Sequence, residues 1–211
     1  MEPLLAHSER EWILVGTAEC CARQGFERTS VPDICAAAGV PQDSFERLFK
    51  GKEDCLAATV ESLVAEAERR IVARCSPAKT WTANMRSGTR AVLGLLAERP
   101  TFAHAALIEA SAAGGRAADV YHAGKAALLP HIERGSEQAG ADERIPASAG
   151  RAALAGAEAL VVGTLLSGSA EQLGPLAPDV LYLLTVPYLG RGAALRLADT
   201  PARRGHLRAV A

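Results

Sequence analysis

The sequence predicts an all-α protein. An N-terminal three-helix head containing a helix-turn-helix leads into a larger helical bundle, about nine helices in all. Three observations carry this. Apolar residues recur at three- and four-residue steps, with no strand-like alternation and no internal repeat. Turn signals at Gly39-Val40, Ser76-Pro77, Pro100, Gly114-Gly115 and Gly174-Pro175 cut the pattern into helix-length pieces. The stretch Arg28–Leu56, RTSVPDICAAAGVPQDSFERLFKGKEDCL, sets two short helical patterns around a Gly-Val turn and opens a longer third.

In chain order, Ser8 and Glu11 read as a capping box for a first helix over about Glu9–Arg23. Trp12, Val15, Ala18 and Ala22 form its expected inner face, with Ile13 and Leu14 beside them. Ser30, followed by Val31-Pro32-Asp33, caps a second helix, since its hydroxyl can accept an orphan N–H and Asp33 can reach back. Pro32 is tolerated in a first turn, where no N–H is needed. Ile34, Ala37 and Ala38 supply a small apolar face, Gly39 ends the helix in the left-handed region, and Val40 plugs the turn. A third helix over Pro41–Phe49 turns Phe45, Leu48 and Phe49 inward and leaves Gln42, Asp43, Ser44, Glu46 and Arg47 outside. A short helix so placed is what a major groove accepts, its first residues meeting base edges.

Helix four starts at Lys52, with Glu53 and Asp54 in the positively polarised first turn, and runs through Leu56, Val60, Leu63, Val64, Ala67 and Ile71 to Ser76-Pro77. About 22 residues give a rod roughly 33 Å long. Helix five covers about Ala78–Ala97, helix six Thr101–Ala110 after Pro100, and helix seven about Arg116–Gln138 with a kink at Pro130. After the polar loop Ala139–Pro146, helix eight spans Ala147–Ser169 and helix nine Leu176–Leu189. These last two are apolar nearly all round, so more than one side must be covered. One side can meet the body and the other a second copy, with Gly156, Gly163 and Gly168 permitting close approach. The expected division is a head over residues 1–50, a body over 51–195 and a flexible tail over 196–211, including Arg203, Arg204 and Arg208.

A chain of 211 residues can bury a sizeable core. Its hydrophobic content of 49% includes only 4% aromatics, so Ala and Gly let helices pack closely. A net charge of −1 excludes a generally basic nucleic-acid coat, and any DNA-binding face must be local. Cys20, Cys21, Cys35, Cys55 and Cys75 show no paired zinc spacing, so no metal site is expected; they read as structural thiols, with a redox sensor as the alternative. His104, His122 and His131 are spread over two helices, while His7 and His206 fall near the ends. The sequence has no G-x-S-x-G, P-loop or H-E-x-x-H motif, so neither an enzyme nor a cofactor is expected. Glu2, Glu9 and Glu11 crowd the start where a signal peptide would be apolar, and the apolar runs Ala159–Leu166 and Val180–Leu189 are too short to span a bilayer. The expectation is a cytoplasmic protein with no membrane partner.

At Val31, Ile34, Ala38, Gly39, Val40, Phe45, Phe49, Lys52, Glu53 and Leu56, and at Gly25-Phe26 before them, the sequence resembles the TetR family of bacterial transcriptional regulators. The resemblance is specific over about the first quarter of the chain and rests on helical layout beyond it, apart from Pro187-Tyr188-Leu189-Gly190. It implies a homodimeric repressor, paired through Ala147–Ser169 and Leu176–Leu189, that binds double-stranded operator DNA and is released by a small-molecule effector. Carried residue by residue, Arg28, Thr29, Ser30, Gln42, Asp43, Ser44, Arg47, Lys50 and Lys52 would face a half-site, with Thr29 and Ser30 on phosphates and Gln42, Ser44 and Asp43 on bases. A body pocket between helices five to eight would be lined by Trp81, Met85, Phe102, His104, Leu107, Ile108, Tyr121, His122 and Leu128 and take a mostly apolar molecule. Glu109 and Arg86 are candidates to orient a polar group, against the simpler reading of a solvated face.

The departures are chemical. Pro41 replaces the family's turn Ser, Glu46 its usual Tyr, and Asp43 a small residue. Within residues 1–50 the acids Glu2, Glu9, Glu11, Glu19, Glu27, Asp33, Asp43 and Glu46 outnumber Arg10, Arg23, Arg28, Arg47 and Lys50, which predicts weak, salt-sensitive binding by a single head. Asp and Glu can still accept from cytosine N4. The alternative reading is a helical small-molecule-binding protein or adaptor whose acidic head has lost strong DNA binding.

Overall fold

The computed structural model describes residues 2–138 and 145–199, and the described residues form helices and turns only. The head comprises α1 (Glu2–Gln24), α2 (Val31–Ala38) and α3 (Gln42–Leu48). Then α4 (Lys52–Arg74), 23 residues and so about 34 Å long, runs from the head into the body. The body continues with α5 (Trp81–Glu98) and α6 (Pro100–His104), the latter passing through a π-helical turn (Ala105–Glu109) into α7 (Ala110–Ala113). After α8 (Gly115–Ala126) and α9 (Leu129–Glu133), a 3₁₀ turn covers Arg134–Gln138. The long helices α10 (Ala149–Leu166) and α11 (Ala177–Asp199) close the chain, with a 3₁₀ turn, Ala170–Gln172, between them.

Several boundaries differ from expectation for physical reasons. The first helix begins at Glu2, so Ser8 lies within it rather than capping it. Its inner face is also rotated: Ile13, Leu14, Thr17, Ala18 and Cys21 are buried, whereas Trp12 is 52% exposed, Val15 faces outward and Ala22 is exposed. The small polar Thr17 supports this face by returning its hydroxyl to the Ile13 carbonyl at 2.8 Å. The predicted seventh helix is broken rather than kinked, because Pro130 starts a new short helix after α8 has ended. Helix six continues to Ala113 through the π turn. The last helix passes Pro187 and reaches Asp199, with a non-helical step at Gly190 (φ 69°), so residues 196–199 are helix and not tail. Thr200–Ala211, His206 among them, and residues 139–144 of the predicted loop lie outside the described residues, as does the His7 side chain.

One core runs through head and body. Phe45, Ile34, Ile13, Leu56 and Val60 fill the head and its junction with α4; Leu95, Phe102, Ala106, Leu173 and Leu184 fill the body. Two glycines are required by close approach. A Cβ on Gly16 would lie 2.9 Å from both the Ala38 nitrogen and the Ile34 oxygen of α2. A Cβ on Gly135 would meet the Tyr188 ring at 2.5 Å and the Trp81 ring at 2.6 Å. Trp81 and Tyr188 pack edge to face at 5.7 Å, and the Trp81 indole donates to the His131 carbonyl at 2.8 Å. Charged ties add to this packing: Arg116 of α8 reaches Asp54 at 2.7 Å and Glu61 at 2.5 Å on α4, and Arg70 of α4 reaches Glu98 of α5 at 2.7 Å.

In α10 the buried positions Gly150, Ala153, Ala157, Val161 and Leu165 form one stripe. The opposite side keeps Leu160 and Leu166 exposed, at 38% and 65%. By length and composition this 18-residue helix reaches what is needed to cross a membrane, more than the apolar run counted from sequence. Yet it carries Arg151 and Glu158, and Glu158 accepts from Tyr121 and from Lys125 at 2.9 Å, which ties the helix into the bundle. Burial and the adjacent Glu158 carboxylate push the Tyr121 hydroxyl well above its ordinary pKa.

Candidate nucleic-acid interface

The helix-turn-helix is built by local chemistry. The Ser30 hydroxyl accepts from the Asp33 amide at 3.3 Å, while the Ser30 amide donates to the Asp33 carboxylate at 2.9 Å, completing the capping box. The Ser30 hydroxyl also lies 2.6 Å from that carboxylate and donates to it, and this bond together with the amide's holds the Asp33 carboxyl below its ordinary range. Gly39 (φ 66°) closes α2 with its N–H on the Ala36 and Cys35 carbonyls, and Val40 is buried under the turn. Pro41 starts α3 with no side-chain cap, as its sequence requires. Phe45 and Phe49, rings 5.5 Å apart, anchor α3 from below. Gln42, Asp43, Glu46, Arg47 and Lys50 remain exposed on the outer side.

Most of the candidate contact residues already have partners. Thr29 is buried at 1% exposure and gives its hydroxyl to the Gly25 carbonyl at 2.8 Å, which corrects its assignment to a phosphate. Ser44 is likewise buried and donates to Glu9 at 3.2 Å, which corrects its assignment to a base edge. The same Glu9 carboxylate takes Arg47 at 2.6 Å. Gln42 donates to Glu46 at 2.7 Å, and Arg28 to the Gln24 carbonyl at 2.7 Å. Lys52 turns inward, donating to the Phe26 and Glu27 carbonyls at 3.2 Å each and lying 4.6 Å from the Phe26 ring centroid. Ser30 is exposed but used as a cap, Asp43 is exposed in the first turn of α3, and Lys50 is exposed just beyond its end. The structure therefore brings Gln42, Asp43, Glu46, Arg47 and Lys50 to one surface and removes Thr29 and Ser44 from it. The sequence reading missed Glu9 as the residue organising this surface. Only its position on the first helix was visible, and nothing local marks a contact that reaches to Arg47.

The predicted body pocket has a different character. Trp81, Met85, Phe102 and Tyr121 are buried in the core, Leu107, Ile108 and Leu128 are half-buried against it, and His122 is exposed, which corrects its placement as a lining residue. His104 lines a recess of about 210 Å³ with Ala22, Pro100, Thr101, Leu165, Gly168 and Ala170, between the head and the body. A second, shallow depression of about 520 Å³ lies on α4 along Ala65, Glu68, Arg69, Val72 and Ala73. Arg86 donates to the Leu197 carbonyl at 2.9 Å and Glu109 accepts from the Phe26 amide at 2.8 Å, so neither is merely a solvated face. Cys20, Cys21 and Cys35 of the head and Cys55 of α4 are buried and unpaired; burial pushes the Cys21 and Cys55 thiols up to about 12. Among the described residues there is no group of three or more His, Cys, Asp or Glu able to hold a metal.

A capped α2, a left-handed turn and an exposed α3, joined by one long helix to a helical body, define a helix-turn-helix transcriptional regulator fold. Residues 13–59 match the model of the bacterial regulatory proteins of the tetR family. No curated protein matches the chain. Solved structures share its fold at low identity. A TetR-family regulator from Bordetella parapertussis aligns with a TM-score of 0.65 at 18% identity over 81% of this chain and 94% of its own. One from Marinobacter aquaeolei gives 0.64 at 20% over 85% and 98%. The fatty acid degradation regulator FadR from Bacillus halodurans gives 0.62 at 16% over 85% and 94%.

Proposed function

We propose that the protein is a cytoplasmic, homodimeric repressor that binds operator DNA through α3 and is released by a small, mostly apolar effector. The observation that carries this reading is the surface of α3, held outward on Phe45 and Phe49 and presenting Gln42, Asp43, Glu46, Arg47 and Lys50 together. Pairing through α10 and α11 is supported by the exposed apolar side of α10, which one chain leaves bare. Two-fold pairing would set two copies of α3 one or more helical turns of DNA apart. An apolar effector is supported by the aliphatic body and by the naming of the Bacillus halodurans neighbour for fatty acid degradation. Release then requires the effector to favour one spacing of the heads over another. A gel-shift against the DNA flanking the protein's own gene tests the reading. A retarded band competed by unlabelled duplex supports it, and no shift at any salt concentration refutes it.

A second reading draws on a specific observation. Arg47, Gln42 and Lys52 are all engaged by groups within the chain, so the head offers phosphate few uncommitted donors. On this reading the protein is a helical ligand-binding or adaptor protein with a silent head, and the same gel-shift separates the two.

A further inference from the structure

The turn between α1 and α2 is gripped from two sides. From the body, Glu109 accepts the Phe26 amide at 2.8 Å across 83 residues of sequence. From the start of α4, Lys52 takes the Phe26 and Glu27 carbonyls and covers the Phe26 ring. The backbone of Phe26 is thus held at both its donor and its acceptor by residues outside the helices it joins. Gly25 lies under the same carboxylate: a Cβ there would be 3.7 Å from it, in a backbone with φ 80°.

Glu109 ends the π-helical turn, an irregularity common at functional positions. Its second oxygen is 3.8 Å from His104 Nδ1, too far for a hydrogen bond, and that nitrogen is buried without a partner. The carboxylate therefore has an alternative partner that a shift of about 1 Å would bring into range. The recess lined by His104 and Ala22 leaves space at this seam for such a shift.

We propose that Glu109 is the positioning residue through which the body sets the orientation of the reading head, by holding Phe26 in one state and releasing it toward His104 in the other. This rests on the DNA-binding reading only for its consequence; the clamp itself is independent of it. Glu109 touches no DNA, so its effect falls on the separation of the two heads and not on which bases each head reads.

The test uses the full chain with Glu109→Ala, Glu109→Asp and Glu109→Gln, alongside amide hydrogen exchange and a set of duplexes. The duplexes carry the half-site that the wild type selects from random sequence, repeated across spacers of graded length. The expected result is fast exchange at the Phe26 amide in the Ala and Asp variants, with loss of spacer discrimination on the order of tenfold and unchanged half-site preference. Gln retains an acceptor oxygen and restores both. An equal loss of affinity across all spacers marks a merely structural role and overturns the proposal, as does wild-type-like exchange at Phe26 in the Ala variant. If the wild type selects no duplex, the DNA reading fails, and the exchange result then decides the clamp alone.

Discussion

Glu9→Gln should raise DNA affinity and make it more sensitive to salt. In the wild type the Glu9 carboxylate holds Arg47 at 2.6 Å and Ser44 at 3.2 Å, placing a negative charge within the reading surface. The Arg47 side chain is 58% exposed, so the pair is solvated and worth little to stability, about 0–1 kcal/mol. The amide of Gln still accepts the Ser44 hydroxyl but no longer fixes a guanidinium by charge. Each subunit then offers one more cation to phosphate. The slope of log K against log salt steepens by about 0.9 for each phosphate neutralised, so a dimer gains about 1.8. Fluorescence anisotropy with a random-sequence duplex of about two helical turns, titrated over about 50–200 mM salt, measures this directly. An unchanged or shallower slope, with the variant folded by circular dichroism, would refute the reasoning that Glu9 restrains Arg47.

Ser30→Ala removes the cap on α2 and should cost about 1 kcal/mol, lowering Tm by about 2–4 °C by scanning calorimetry. Asp33, the other half of that cap, has a folded pKa depressed by the Ser30 donors. Its contribution is therefore full above the ordinary value of 3.8 and lost as pH falls through the lower folded value, so the stability gap between wild type and Asp33→Asn should close only in acid below 3.8. Gly135→Ala drives a methyl into the Tyr188 and Trp81 rings and should destabilise by about 1–3 kcal/mol, read by urea denaturation together with altered Trp fluorescence. A thiol reagent at neutral pH should modify half-buried Cys75 first, and reach Cys21 and Cys55 only on unfolding, because burial lifts those thiols to about 12; mass spectrometry of the labelled peptides checks the order.

Features fixed by short-range chemistry were legible in the sequence. The Ser30–Asp33 cap, the left-handed Gly39 and the inward Phe45 and Phe49 each follow from residues within a turn or two of one another. Trp12 misled because two helical stripes were available on α1 and the larger side chain drew the choice. The stripe that is buried includes Gly16, which lets α2 come close, and Thr17 and Cys21, all of which look unremarkable by hydropathy. From sequence, Thr29 and Ser44 suit DNA contacts because both are polar and lie within the helix-turn-helix. Their hydroxyls are instead satisfied by the Gly25 carbonyl and by Glu9. The pairings of Glu9 with Arg47 and of Glu109 with Phe26 join residues 38 and 83 positions apart, and no local pattern encodes them. The sequence pattern overextends helix seven because Ala-rich periodicity continues past the point where Pro130 denies the chain a continuous ladder.

The contact at Gly16 bears on mechanics. At Gly16, α1 and α2 meet main chain to main chain, so at that crossing no layer of side chains lets the two helices slide past each other. On the proposal above, a head locked at this crossing would turn as one piece, and a shift of about 1 Å at the Glu109 seam would be carried to α3 as a change of angle.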